Sequence, residues 1–147
     1  MRVTCAGISF SILPGLTAAT VAAASIGQSL TRRGRNASLR IITGHDMAGF
    51  ADQDWRGLSR PGEVAAIYMA KRSARFLQGR LMMHGASGDT PVTIVENTSR
   101  SEERVIAATL ATLPEAAAEA SGPAIILFGL APRQTKVALI QLKEVRA

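Results

Sequence analysis

Val64-Ala65-Ala66-Ile67-Tyr68-Met69, then the stretch from Ser73 to Met83, then Pro91-Val92-Thr93-Ile94-Val95-Glu96 together decide the fold class. The first run is short and apolar and follows the Pro61-Gly62 breaker, which is the pattern of a buried strand. The middle stretch sets Phe76, Leu77 and Leu81 on one helical face, with Ser73 placed to cap its start and Gly85 just beyond its end. The last run reads as strand again. Upstream, Ile8, Phe10 and Ile12 alternate with Ser9 and Ser11, so Ile8 to Leu13 is expected as a strand that Pro14-Gly15 ends. Thr17 is placed to cap a helix from Ala18 to Ile26, which Gly27 stops. Leu39 to Thr43 reads as a short apolar strand, and Asp54 caps a brief helical turn over Trp55 to Leu58. Downstream, Thr112-Leu113-Pro114-Glu115 is a capping-box pattern opening a helix that Gly122 closes, before a buried strand from Ala124 to Phe128. Arg104 to Leu110 is balanced: Val105 and Ile106 favour strand, Ala107 and Ala108 helix. Strands alternating with helices imply an α/β fold, a mixed sheet with flanking helices and some parallel pairing.

Composition excludes several classes of protein. A chain of 147 residues with 47% hydrophobic content can bury a real core, which argues against disorder and fibrous repeats. A single cysteine, Cys5, excludes an internal disulfide framework and suits a reducing, cytoplasmic setting. His45 and His84 are the only histidines, too few beside one cysteine to expect a metal cage. Arg2, the apolar stretch Ile8 to Val21 and Ala22-Ala23-Ala24 imitate a secretory signal. Pro14-Gly15 breaks that stretch and Ser9, Ser11 and Thr17 dilute it, so no signal is expected. No run reaches the ~18 apolar residues that a membrane helix requires.

Charge is unevenly placed. No acidic residue precedes Asp46, whereas Arg2, Arg32, Arg33, Arg35 and Arg40 all do. Of the 17 basic residues three are Lys71, Lys136 and Lys143, and the rest are arginine, whose planar fork matches carboxylates and phosphates. A nucleic acid bound by stacking would want aromatics among those cations, and only Phe50, Trp55, Tyr68 and Phe76 lie near them. A small molecule carrying many carboxylates fits at least as well, and a solvated surface is the commonest use of such charge.

Five short motifs occur in fixed order: Pro14-Gly15-Leu16-Thr17-Ala18-Ala19, Leu30-Thr31-Arg32-Arg33, Ile42-Thr43-Gly44-His45, Tyr68-Met69, and Thr90-Pro91-Val92-Thr93-Ile94-Val95-Glu96-Asn97. In order and spacing, over roughly residues 7 to 130, they resemble the carboxyl-terminal half of a uroporphyrinogen-III C-methyltransferase of the tetrapyrrole methylase family. The resemblance implies two α/β lobes with S-adenosylmethionine in the cleft between them. It implies methyl transfer to two ring carbons of uroporphyrinogen III to give precorrin-2, which feeds siroheme and cobalamin synthesis. It also implies a homodimer, or association with an amino-terminal lobe. Residues 1–29 are then expected as the end of the amino-terminal lobe and a crossover helix, 30–132 as the carboxyl-terminal lobe, and 133–147 as a tail.

Roles follow from the resemblance position by position. Thr17 and Ala18 match the family's Thr-Ala pair at the methyl donor, and a helix start offers free N–H groups to an anion. Thr17 as a plain helix cap is the simpler alternative. Met69 matches the methionine of a Tyr-Met-Gly motif lining the donor site, with Ala70 in place of the glycine. On spacing alone Met69 is a core residue ending a strand. Thr98 stands where the family has glycine or alanine beside the donor, and Thr93 where it has alanine, so both are expected to add hydroxyls to the pocket. Thr31 and Arg33 match a Leu-Thr-His-Arg motif in which Arg32 replaces the histidine, and Arg33 is the candidate partner of substrate carboxylates, against the simpler alternative of a solvated charged loop.

The family's glycine-rich first loop, its Gly-Gly-Asp segment and its amino-terminal acid/base residues do not occur here. The expectation is therefore an enzyme portion that lacks the parts for methyl transfer by itself, and no catalytic residue is assigned. The alternatives are a non-catalytic docking or dimerisation module, with the strand Ile8 to Leu13 exposing apolar surface and an unpaired edge, and last a basic nucleic-acid binder. No G-x-S-x-G, Walker loop, paired-carboxylate or Cys/His arrangement offers another chemistry.

Overall fold

The computed structural model describes residues 2–5, 8–47 and 49–133; the tail expected beyond them, with Val137 to Ile140, lies outside that range. In chain order the elements are β1 (Arg2–Cys5), β2 (Ile8–Ser11), α1 (Ala18–Ser25), β3 (Arg40–Thr43), β4 (His45–Asp46), β5 (Gly49–Phe50) and α2 (Trp55–Leu58). They continue with β6 (Ala65–Tyr68), α3 (Ala74–Met83), β7 (Pro91–Glu96), β8 (Arg104–Thr109), α4 (Leu113–Glu119) and β9 (Ala124–Phe128).

The central sheet has five strands in the order β3-β6-β9-β7-β8. β3 runs parallel to β6, β9 is antiparallel to both β6 and β7, and β8 is antiparallel to β7. So β3, β6 and β7 point one way, and β8 and β9 the other. The alternation of strands and helices does yield same-direction strands, as crossover connections through a helix do. β9 then slots between β6 and β7, which leaves β3–β6 as the parallel pair of a mixed sheet.

The two-residue period of a strand sorts side chains to the two faces. Ala65, Ile67, Val92, Ile94, Ile126 and Phe128 meet Trp55, Leu77, Leu81, Leu113 and Ala117 from α2, α3 and α4 on one face. Val64, Ala66, Val95, Ile125 and Leu127 meet Ala19 and Ala22 of α1, and Ile26 at its carboxyl cap, on the other. α1 has alanines at its contact positions, so its backbone can lie close over the sheet. Gly85, at φ 97, reverses the chain after α3 so that the Ala86 N–H bonds back to Leu81 O at 3.0 Å.

Several local expectations shift. Arg104 to Leu110, balanced between helix and strand in the sequence, is strand β8, fixed by its six-residue ladder with β7. The capping box does not form: Thr112 precedes α4 without a side-chain cap bond, because its hydroxyl is taken up with Thr109. Ser73 likewise makes no cap bond, and its buried hydroxyl donates to Ala70 O at 3.2 Å. α4 stops at Ala120, ahead of Gly122. Asp54 and Thr17 do cap their helices, accepting from Gly57 N and Thr20 N. β2 has a partner, pairing antiparallel with β1, while Ile12, Leu13 and Leu16 beyond it are 75%, 82% and 87% exposed.

Candidate functional site

Because β3, β6 and β7 point the same way, their carboxyl ends (Thr43-Gly44, Tyr68-Met69 and Glu96-Asn97) share one edge of the sheet. Ligands of open α/β sheets gather at that edge. Two strand ends carry backbone that non-glycine residues seldom adopt: Met69 at φ 50 and Asn97 at φ 52. Such conformations cost free energy and cluster at sites that use them. Gly44 is held to glycine by close approach, since a Cβ there would sit 2.8 Å from Ala70 Cα and 2.7 Å from Ser73 Oγ.

A cavity of about 750 Å3 opens at this edge. Ala18 at the start of α1 contributes to it, with His45, Tyr68 and Met69 from the first two strand ends and Asn97 and Thr98 from the third. The segment Ser121 to Ile125 leading into β9 forms another wall, and Lys71, Arg72 and Arg100 complete the lining. Met69 is 65% exposed there, which corrects its reading by spacing as a core residue. The Tyr68 hydroxyl accepts from the Ala19 N–H at 3.1 Å, fixing the start of α1 over the end of β6.

The lining cations differ in what they do. Lys71 Nζ donates to Ser121 O and Gly122 O, both at 3.0 Å, and so braces the wall. Arg72 and Arg100 are exposed at the rim. Under the wall lies Glu96, 1% exposed, whose Oε1 accepts from the Gly122 N–H and from Ser121 Oγ. The Gly122 N–H above all, with help from Ser121 and Arg104, holds its carboxyl below the usual range despite burial.

Of the residues singled out by sequence, Ala18, Met69 and Thr98 meet in this cavity. Thr17 sits just outside the lining, its Oγ1 accepting from Thr20 N at 3.3 Å. Arg33 lies in a separate depression formed by Thr31 to Ala37. Thr93 corrects its expectation: it is fully buried in mid-strand, and its hydroxyl donates to Leu130 O at 2.7 Å, away from the cavity. Sequence reasoning passed over Lys71, Arg72, Asn97, Arg100 and the Ser121–Gly122 turn. Lys71-Arg72 shortly after an apolar strand is the available signal; in the sequence Gly122 signals only a helix stop.

Known proteins agree with this geometry. The profile of the family described as Tetrapyrrole (Corrin/Porphyrin) Methylases matches residues 1–114. A siroheme synthase of Aeromonas hydrophila is 40% identical over 123 residues, which are 84% of this chain and 26% of that protein. A Thermus thermophilus uroporphyrin-III C-methyl transferase, solved in complex with S-adenosylhomocysteine, superposes with TM-score 0.65 at 25% identity, over 80% of this chain and 51% of that one. A cobalt precorrin-4 methyltransferase shares the fold, with TM-score 0.72 at 21% identity over 81% of this chain and 51% of the other. The chain thus spans about a quarter of the length of that siroheme synthase and about half that of the two solved methyltransferases. With more than half its length matched by the family profile, and with the sheet and cavity described above, the chain belongs to the tetrapyrrole (corrin/porphyrin) methylase family.

Proposed function

We propose that this chain forms one wall of the donor cleft of an S-adenosylmethionine-dependent uroporphyrinogen-III C-methyltransferase, acting in the formation of precorrin-2. The observation that carries the reading is the meeting of Ala18, Met69 and Thr98 in one cavity at the carboxyl edge of β3, β6 and β7. The residues fit a donor carrying an adenosine. Ala18, Met69, Ala124 and Ile125 give an apolar lining, while the Asn97 side chain and the second lone pairs of the Ser121 to Pro123 carbonyls supply a few fixed polar groups. Met69 brings a polarizable thioether, suited to an aromatic ring or a sulfonium. S-adenosylmethionine supplies an electrophilic methyl group. Arg72 and Arg100 at the rim offer bidentate donors to the carboxylates of a tetrapyrrole, and Arg33 provides a further such contact from its own loop.

The test is calorimetry with S-adenosylhomocysteine, on this chain alone and with the amino-terminal half of a related methyltransferase supplied in trans. Saturable binding that strengthens with the added half is expected; no binding in either case refutes the reading. Arg33→Ala should leave that binding unchanged while weakening capture of a polycarboxylate porphyrin.

A docking role is the second reading, favoured by the exposed run Ile12, Leu13 and Leu16. It requires association, with a second copy or with a separate lobe. A monomer in size-exclusion chromatography that ignores an added lobe would dismiss it.

A further inference from the structure

Glu96 raises a physical question: why a carboxylate should be buried to 1% exposure beneath a cavity wall. Burying a charge is costly unless hydrogen bonds compensate. A turn following a helix needs no charge to hold it, since a neutral cap suffices. The compensation here is directed at a single turn. Oε1 accepts from the Gly122 N–H and from Ser121 Oγ at 3.2 Å. Oε2 has no hydrogen bond among the described residues and meets Arg104 Nη1 at 3.3 Å, its register partner on β8. Arg104 Nη1 also reaches Glu119 O at 3.5 Å, at the end of α4.

From the other side Lys71 Nζ takes the carbonyls of the same two residues, Ser121 and Gly122. One short segment therefore has its N–H held by an anion and its carbonyls by a cation, and the two charges come from different strand ends. The Asn97 N–H fixes the next residue by donating to Pro123 O at 2.9 Å. Gly122 itself has no room for a side chain, because a Cβ would stand 2.6 Å from Asn97 Oδ1. Ser121, Gly122 and Pro123 all line the cavity.

We infer that Glu96 is a positioning residue: with Lys71 it clamps the Ser121–Gly122 turn, and the set of that turn governs how tightly the cavity holds its ligand. The part concerning ligand affinity rests on the donor reading above; the clamp itself is testable without a ligand.

The experiment uses the full chain, with the trans-supplied half if binding needs it. Glu96→Ala removes the anion, Glu96→Asp keeps the charge but withdraws it by one methylene, and Glu96→Gln keeps an acceptor at full reach. Leu113→Ala, in the core away from the cavity, is the control for general destabilisation. Readouts are amide exchange at Gly122 against the β9 core amides, S-adenosylhomocysteine affinity, and melting temperature. Glu96→Ala and Glu96→Asp should speed Gly122 exchange and weaken affinity by roughly tenfold, the scale of a lost charged hydrogen bond. Glu96→Gln should recover most of both, and Leu113→Ala should lower the melting temperature while moving neither. Wild-type affinity in Glu96→Asp, or an equal loss in Leu113→Ala, overturns the inference. If Glu96→Ala does not fold, the contrast of Asp with Gln decides. If the wild type binds no S-adenosylhomocysteine, the donor reading fails separately and Gly122 exchange decides: unchanged exchange in Glu96→Asp overturns the clamp, and selectively faster exchange upholds it.

Discussion

Removing a single oxygen at Tyr68 tests how α1 is held over the sheet. The Tyr68 hydroxyl accepts from the Ala19 N–H at 3.1 Å, and the ring packs with the α1-side core. Tyr68→Phe keeps the ring and loses the acceptor for one of the first amides of the helix. A net hydrogen bond is worth about 1 kcal/mol, and somewhat more where the orphaned amide stays dry. For a domain between the small and mid-sized ranges, that stability change corresponds to a fall of about 4 °C in melting temperature. Calorimetry should show this fall, and urea unfolding should show a lower midpoint with an unchanged slope, because the exposed surface is the same. A melting temperature within about 1 °C of wild type would mean that water replaces the phenol at no cost, and that Tyr68 does not fasten the helix. Ala18, the neighbouring residue, lines the cavity, so S-adenosylhomocysteine binding should weaken in parallel.

Three further outcomes are expected. Glu96 has its folded-state pKa lowered, chiefly by the Gly122 N–H, so its contribution to stability is present above the unfolded value of about 4.3 and is lost as pH falls through the folded one. Urea midpoints should therefore decline on that acid limb more steeply in wild type than in Glu96→Gln, and parallel curves would count against it. Met69→Gly relieves a left-handed backbone at an exposed residue, so the melting temperature should hold within about 2 °C while S-adenosylhomocysteine affinity falls; a large thermal loss would show that Met69 is structural. Thr98→Ala clears a hydroxyl and a methyl from the cavity lining, the hydroxyl held only by a 3.5 Å contact with Val95 O. Affinity for the same ligand should rise roughly three- to tenfold, and an unchanged value would mean that Thr98 does not crowd the site.

The parts of the fold legible in the sequence were those with a local signature. Asp54 announced α2, Phe76, Leu77 and Leu81 announced α3, and the apolar runs at Val92 and Ile125 announced central strands. β4 and β5 have two residues each, too short for any period to appear. β8 was ambiguous because Ala107 and Ala108 favour helix locally, and only pairing with Thr93 and Val92 overrides them. The capping box at Thr112 failed because Thr109 competes for the same hydroxyl, a contact that no pattern of helix-start residues registers.

The site divided in the same way. Residues carried by motif resemblance, Ala18, Met69 and Thr98, converge in space, whereas Thr93 was misjudged because its strand face was unknown. Lys71 and Glu96 act on Ser121 from 50 and 25 positions away in the chain. Linear spacing carries no trace of such distant pairings.

The seat of β9 bears on how the polypeptide is made. Ala124–Phe128 is the last of the five central strands to be synthesised, yet it is bonded on both sides, to β6 and to β7. A ribosome-borne intermediate ending before that segment would hold β3–β6 and β7–β8 as two separate ribbons with bare inner edges, open to mispairing. Closure of the sheet must await the insertion of β9, so the long-range pairings at its centre form only after that segment has emerged.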